Sequence, residues 1–207
     1  MEVLQERGYF KSTTAAKLTV LQSDGAEIDV AVAVRATPGL QYRTGDIQFE
    51  SADRNVPLAI SPEVLRGLVP LGRGGVFSAR MVRTGMQNMR QAYVRVGYSD
   101  MTVGPEFHIG ETPETMDMVL KIDQQAQFRI RAVEFLGMDS AIRQKLLESL
   151  PKPGEIFDET RLQEFFKVNA SILPSDASTD DLNITKDVKA RTVAILFDFR
   201  TCPPNTN

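Results

Sequence analysis

His108 is the only histidine among the 207 residues and the first candidate for a catalytic group. A catalytic histidine needs a nucleophile to deprotonate and a carboxylate that orients its ring. No Gly-x-Ser-x-Gly or similar motif supplies that nucleophile, and His108 lies near the end of a predicted strand. We therefore interpret His108 as a solvated strand residue and predict no catalytic residues and no enzyme activity.

Two short segments have the composition of ligand-binding loops. Gly72-Arg73-Gly74-Gly75 precedes a predicted helix, where anions bind well, but the Lys-Ser/Thr pair of a phosphate-binding loop is missing. The acidic stretch from Asp176 to Asp181 lacks the spacing and central glycine of a calcium loop. We interpret the first as a tight turn and the second as a solvated loop, and we predict no cofactor and no metal site.

Charge and cysteine content narrow the classes of partner. The net charge of −3 and the pI near 5.3 argue against nucleic acid, which favours a basic surface. The single cysteine, Cys202, cannot form an internal disulfide, so it does not indicate a redox compartment. No stretch is apolar enough to span a membrane, and the first residues do not form a signal peptide. If the protein works outside the cytoplasm, its targeting segment has been removed.

The elements that would position any site come from an internal repeat. A strand with strict two-residue alternation occurs three times, at residues 26–34, 116–122 and 193–199. In the first copy Ile28, Val30, Val32 and Val34 share one face. Alternation of this kind predicts strands with one face on a core and the other towards water.

A second phrase follows the first two copies. Gln41-Tyr42-Arg43 leads to Ile47 and Phe49, and Gln127-Phe128-Arg129 leads to Val133 and Phe135. In both phrases the apolar residues begin at even-numbered positions and then move to odd-numbered ones. Because this switch moves side chains to the other face, we predict a bulge or twist between two packing environments. The early residues would pack on the preceding module and the later ones on their own core.

Two helices follow each phrase. Ser61 and Pro62 mark the start of the first, and a second is predicted from about Ser78 to Val96. In the later copy Ile142, Leu146 and Leu150 mark one helix, and Asp158 caps a shorter second one. A further strand, 101–108 or about 182–189, then precedes the alternating one. The element order is therefore β-α-α-β-β.

This order predicts three modules and a tail. Residues 1–39 form a partial α-β-β module, 40–124 and 125–201 form complete modules, and 202–207 form the tail. The partial module has no first strand or first helix to cover the apolar face of residues 26–34. We expect that face to pack on the next module or to pair with another chain.

The repeated residues resemble the polypeptide-transport-associated (POTRA) domain of BamA/Omp85-type outer-membrane assembly factors, the surface antigen variable number repeat family. The resemblance rests on Gln41–Phe49 and on the helix end Tyr93–Tyr98. It also rests on the turns between the two helices of each module, Gly75-Val76-Phe77-Ser78 and Gly154–Asp158. It covers essentially the whole chain. It implies an α+β fold of tandem modules, each with a three-stranded mixed sheet covered on one face by two helices.

The resemblance also implies a function. Such modules lie in the periplasm, tethered to the outer membrane by a β-barrel domain that this chain lacks. They bind unfolded outer-membrane or secreted proteins and accessory assembly factors by adding the client as a strand along a free sheet edge. The edge residues that the resemblance implies are Met101, Thr102, Val103, Gly104, Glu106, Phe107, Leu182, Asn183, Ile184 and Thr185.

Two alternatives remain open. The same modules could serve a two-partner secretion transporter, whose client is one secreted protein. A small α+β enzyme is an alternative from a different class, although no cluster of titratable residues recurs near a loop. An enzyme would bury a polar pocket, whereas a client-binding module would expose a sheet edge.

Overall fold

The computed structural model describes residues 2–23 and 28–200, and the side chains of residues 3–21 and 28–200. Ala26 and Glu27, at the start of the first predicted alternating strand, and the tail with Cys202 lie outside the described residues. The elements in chain order are α1 (Glu2–Glu6), β1 (Thr13–Ser23), β2 (Ile28–Thr37), β3 (Arg43–Ser51), α2 (Pro62–Leu68), α3 (Ala79–Arg95), β4 (Thr102–Ile109), β5 (Thr115–Asp123), β6 (Arg129–Leu136), α4 (Ser140–Glu148), α5 (Thr160–Val168), a short 3₁₀ turn (Thr179–Asp181), β7 (Leu182–Asp187) and β8 (Thr192–Asp198). Within these ranges, no helix is both long and apolar enough to cross a membrane.

The strands form three sheets. β1 and β2 make a two-stranded antiparallel sheet, and the other two sheets have the orders β3-β5-β4 and β6-β8-β7. In the last sheet β6 runs parallel to β8 and β7 runs antiparallel to it. The prediction of an α+β fold with three-stranded mixed sheets is therefore confirmed.

β5 and β8 occupy the centres of their sheets and show alternating burial. Met116, Met118, Leu120 and Ile122 of β5 are at most 7% exposed, and the residues between them lie towards solvent. The same alternation buries Val193, Ile195 and Phe197 of β8. The buried residues are those that the alternation in sequence places on one face, and the central position pairs both backbone edges of each strand.

The predicted change of phase is present in β6. Phe128 and Ile130 are buried before the change, and Phe135 is buried after it. The pairing of β6 with β8 shifts by one residue between Ile130 and Ala132, which is the expected bulge. One detail differs from the prediction: Phe128 and Ile130 belong to the apolar core that also contains Phe135. The backbone N–H of Phe128 does reach an earlier segment, where it donates to the Gly97 carbonyl.

Side-chain caps fix where the helices begin. The Ser61 hydroxyl accepts a hydrogen bond from Val64 N–H at the start of α2, and Pro62 is its first residue. The Asp139 carboxylate accepts from Ala141 N–H before α4. Asp158 accepts from Thr160 N–H at 3.0 Å, but α5 begins at Thr160 and its N-cap residue is Glu159, one residue after the predicted cap. α5 has 9 residues against 17 in α3, as predicted.

The chain divides into two compact units. The first contains Met1–Glu50, Ser61–Asn88 and Gly104–Lys121, and the second contains Ser51–Ile60, Met89–Val103 and Ile122–Asn207. Neither division falls at the predicted module boundaries, which therefore stay a prediction. The second unit has a core of thirteen buried apolar residues, drawn mainly from β6, β8, α4 and α5.

The β1–β2 hairpin has an apolar face that the described residues leave exposed. Val30, Val32 and Val34 are 47–67% exposed, although they alternate as the buried residues of β5 and β8 do. Leu18 and Val20 of β1 oppose Val32 and Val30 and are equally open. The expectation that this face packs on the next module is therefore not met, and pairing with another chain stays a prediction.

We expect Val32→Lys to weaken self-association of the chain, because a charge in the middle of an exposed apolar face opposes its burial. Ala31→Lys is the matched control, since this substitution adds the same charge to the opposite face of β2. Sedimentation velocity over a range of concentrations measures the effect. If the wild type stays monomeric with residues 28–37 fully labile to hydrogen exchange, pairing through this face is excluded.

Candidate functional site

The two predicted binding strands lie at sheet edges. β4 is the last strand of the order β3-β5-β4, and β7 is the last strand of β6-β8-β7. Each is paired on one side with a central strand, and among the described residues no strand pairs with its other side. The unpaired side of each strand presents backbone donors and acceptors.

Hydrogen bonds at the hairpin ends show which residues of each strand face outward. Gly110 N–H donates to the Thr115 carbonyl at 3.0 Å. We infer that the backbone groups of even-numbered β4 residues bond to β5 and that those of odd-numbered residues point away from it. Arg129 N–H donates to the Arg191 carbonyl, so the backbone of Arg191 points to β6. The backbone groups of the next residue, Thr192, therefore point to the other side, towards its partner Asp187 in β7. The outward-facing residues, meaning those whose backbone groups point away from the central strand, are Val103, Pro105, Phe107 and Ile109 in β4, and Leu182, Ile184 and Lys186 in β7.

The structure places the predicted β4 residues as follows. Thr102 and Gly104 are exposed, and Val103 is half-buried. Glu106 is exposed and forms a 2.8 Å ion pair with Lys121, whereas Phe107 is 43% exposed on the opposite face of the strand. The prediction that Met101 is an edge residue is wrong. Met101 precedes β4, is 1% exposed and donates its N–H to the Tyr98 carbonyl, so it is not available to a partner.

The predicted β7 residues divide between the two faces of the strand. Leu182 and Ile184 are half-buried and pack against the core of the second unit. Asn183 and Thr185 are exposed on the other face and line a shallow groove of about 290 Å³ with Arg131 and Glu134. The strand ends at Asp187, two residues earlier than predicted, because a turn begins there in which Arg191 has a φ of 54°.

Beside each edge strand, a glycine that follows a helix bonds to the residue just before the first strand of the next sheet. We call this contact a glycine joint. In the first unit, Gly8 follows α1 with a φ of 86°, and its carbonyl accepts the N–H of Tyr42 at 2.8 Å. The Gln41 side-chain amide donates to the Arg7 carbonyl at 2.9 Å. A side chain at Gly8 would lie 2.9 Å from the Tyr42 carbonyl oxygen, so this close approach requires glycine.

The second unit repeats this joint. Gly97 follows α3 with a φ of 88°, and its carbonyl accepts the N–H of Phe128 at 2.8 Å. The Gln127 side-chain amide donates to the Val96 carbonyl at 2.9 Å. The shared phrases Gln-Tyr-Arg and Gln-Phe-Arg therefore have a structural role, which the sequence repeat alone did not identify.

An aromatic cluster joins the first joint to β4. The ring of Phe10 lies 5.2 Å from that of Phe77 and 6.3 Å from that of Phe107, and the rings of Phe77 and Phe107 are 5.7 Å apart. Phe77 is fully buried beneath the other two. Phe10 was not among the predicted site residues, since only its place two residues after Gly8 relates it to the joint.

An ion pair joins the second joint to β7. The Lys186 ammonium bonds to the Asp100 carboxylate and also lies 5.4 Å from the centre of the Phe128 ring. Sequence reasoning included the strand but not Lys186. A lysine in an edge strand is the available signal, because edge lysines oppose pairing with other chains.

The other candidate segments have structural roles. The N–H groups of Gly74 and Gly75 donate to the carbonyls of Thr44 and Gly72, so they are not open to an anion. The Asp181 carboxylate forms a capping box with Ser178. Within the described residues no group of three or more acidic, His or Cys side chains could hold a metal ion.

Burial and local hydrogen bonds shift the pKa values of Tyr93, Glu63 and Asp198. Burial raises the pKa of Tyr93. The pKa of Glu63 is lowered first by a hydrogen bond with its own backbone N–H and then by the Ser61 hydroxyl. A hydrogen bond from the Arg200 side chain lowers the pKa of Asp198. These shifts follow from local burial and bonding.

Known proteins provide an independent comparison. Residues 42–125 match the family described as POTRA, surface antigen variable number repeat. Over 162 residues the chain is 22% identical to a putative outer membrane protein assembly factor of Treponema pallidum (strain Nichols), which covers 77% of this chain and 19% of that protein. The chain thus spans about a fifth of the length of this relative.

Solved structures share the fold. POTRA3-5 of Haemophilus influenzae BamA superposes with a TM-score of 0.61 and 14% identity, over 97% of this chain and 76% of that one. BamA of Haemophilus ducreyi lacking POTRA domains 1-3 gives a TM-score of 0.59 and 13% identity, over 76% of this chain and 29% of that one. The chain therefore has the fold seen in these tandem POTRA domains, and residues 42–125 match the POTRA family model.

Proposed function

We propose that this chain binds extended segments of unfolded outer-membrane or secreted proteins by pairing them with β4 and β7. The observation that carries the proposal is the unpaired side of these two strands, where alternate backbone groups face outward. An extended peptide satisfies such groups through its own backbone, so it binds with little dependence on sequence. A site of this kind suits a module that meets many different clients.

The cellular setting is part of the same proposal. The similarity to a putative outer membrane protein assembly factor supports a place in outer-membrane protein biogenesis. We place the chain in the periplasm, tethered to the outer membrane, with accessory assembly factors as further partners. In this setting client chains are unfolded, so their backbones are free to pair with an edge strand.

Peptides from an unfolded outer-membrane protein are expected to shift the backbone amide resonances of residues 102–109 and 182–187. The reason is that new hydrogen bonds form at the outward-facing residues of both strands. Titration of the isotope-labelled chain, followed by NMR, measures the shifts.

The control is the same peptide with alternate backbone nitrogens methylated, which removes the donors and keeps the side chains. It should bind at least tenfold more weakly. Shifts confined to the helices, or equal affinity of the methylated peptide, would rule out pairing along the sheet edges.

A further inference from the structure

The two candidate edges have the same backbone geometry next to their hairpin turns. Gly110 and Asp187 hold the same place, because each bonds to the residue that begins the central strand. Positions counted back from these two residues therefore correspond. The matching outward-facing pairs are Ile109 with Lys186 and Phe107 with Ile184.

Neither edge offers the next N–H group further from the turn. Pro105 in β4 has no N–H. At the matching position in β7, the N–H of Leu182 already donates to the Thr179 carbonyl. Each edge thus offers an added strand two consecutive outward N–H donors beside the turn. Since the backbone contribution is equal, side chains decide which edge a client prefers.

At β4 these side chains are apolar and open. Phe107 is 43% and Ile109 49% exposed, and the half-buried Phe10 lies beside Phe107 with its ring centre 6.3 Å away. Cross-strand neighbours on one face of a sheet lie about 4.5–5.5 Å apart at their β-carbons. An apolar side chain on an added strand would therefore contact Phe107 or Ile109 directly and Phe10 beside them.

At β7 the matching position carries a charge. Lys186 is held against Asp100 and the Phe128 ring, and its side chain is 30% exposed. An apolar residue paired beside it would remove water from the ammonium and carboxylate without giving them a new partner. Ile184 is half-buried in the core, so it offers less open surface than Phe107.

We infer that the β4 edge around Phe107 and Ile109, extended by Phe10, is the preferred docking site for a strand with apolar residues at alternate positions. Strands of outer-membrane barrels have this alternation, with lipid-facing residues apolar and inward ones polar. The occupant is thus a barrel strand of an unfolded outer-membrane protein. The inference rests on the proposed function and adds that Lys186 disfavours such strands at β7.

A peptide of about ten residues, the length of a barrel strand, tests this preference. The probe alternates phenylalanine or valine with threonine and carries a fluorophore, and a probe made only of threonine and serine is its control. The full chain is expected to bind a first apolar probe tightly, with amide shifts at residues 107–109, and a second probe more weakly at β7. Phe107→Ser and the milder Ile109→Thr should each weaken binding about five- to tenfold, because an aromatic or aliphatic contact is lost. Unchanged hydrogen exchange at β5 verifies that the variants fold.

Lys186→Ile supplies the opposite test. It should bring the affinity of the second, weaker site close to that of the first by making β7 resemble β4. Wild-type binding at β7 as tight as at β4, or full affinity in Phe107→Ser and Ile109→Thr, overturns the preference and leaves the proposed function standing. Absence of binding to both the wild type and Lys186→Ile overturns the proposed function itself.

Discussion

Replacing Phe197 by alanine is expected to lower the free energy of unfolding of the second unit by about 3–5 kcal/mol. Phe197 lies in the central strand β8 and is fully buried. Its ring centre is 4.7 Å from that of Phe135 and 4.8 Å from that of Phe165, so it links a neighbouring strand to a helix. Truncation removes these contacts and leaves a cavity that the fixed backbone of β8 cannot close.

Chemical denaturation followed by hydrogen exchange at residues 129–198 measures this loss. Val188→Ala is the control, since Val188 is 67% exposed in the turn after β7 and its truncation should change stability by less than about 0.5 kcal/mol. A loss below about 1 kcal/mol for Phe197→Ala would show that the aromatic cluster does not hold this sheet to its helices.

The alternation in sequence places Phe197 on one face with Val193 and Ile195, but it does not by itself predict that this face is buried. Val193, Ile195 and Phe197 alternate as Val30 and Val32 do, yet only the first three are buried. A two-residue period shows which residues share a face. Whether that face is covered depends on helices elsewhere in the chain, and the pattern of the strand does not contain that information.

The candidate site was predictable to a similar extent. The resemblance to POTRA modules, which implies that the strand before the alternating one is an edge, placed Phe107 and Ile184 on edge strands, as the structure has them. The ion pair of Lys186 with Asp100 was not predictable, because its members are 86 residues apart and no spacing rule relates them. Met101 lies before β4 in a turn bonded to Tyr98, and this turn likewise has no signal in composition.

Replacing Gly97 by alanine is expected to destabilise the second unit by about 2–4 kcal/mol, from the sum of backbone strain and steric overlap. Its φ of 88° is costly for any residue with a β-carbon. The new methyl group would also lie 2.8 Å from Ile156 Cγ2 and 3.0 Å from the Phe128 carbonyl oxygen. To relieve this overlap the backbone must move away from Phe128, so the bond from Phe128 N–H to Gly97 should break. Faster hydrogen exchange of the Phe128 amide measures that loss.

Gly154→Ala separates strain from overlap. Gly154 has nearly the same φ, 90°, but nothing lies within 4 Å of its added β-carbon. Its replacement should therefore cost only the strain, about 1–2 kcal/mol, and leave exchange at Phe128 unchanged. Equal effects of the two substitutions would mean that the joint tolerates a side chain and that glycine serves only the turn. A larger effect at Gly97 would instead show that close approach of the helix end to Phe128 holds the joint, and Gly8 beside Tyr42 should then respond in the same way.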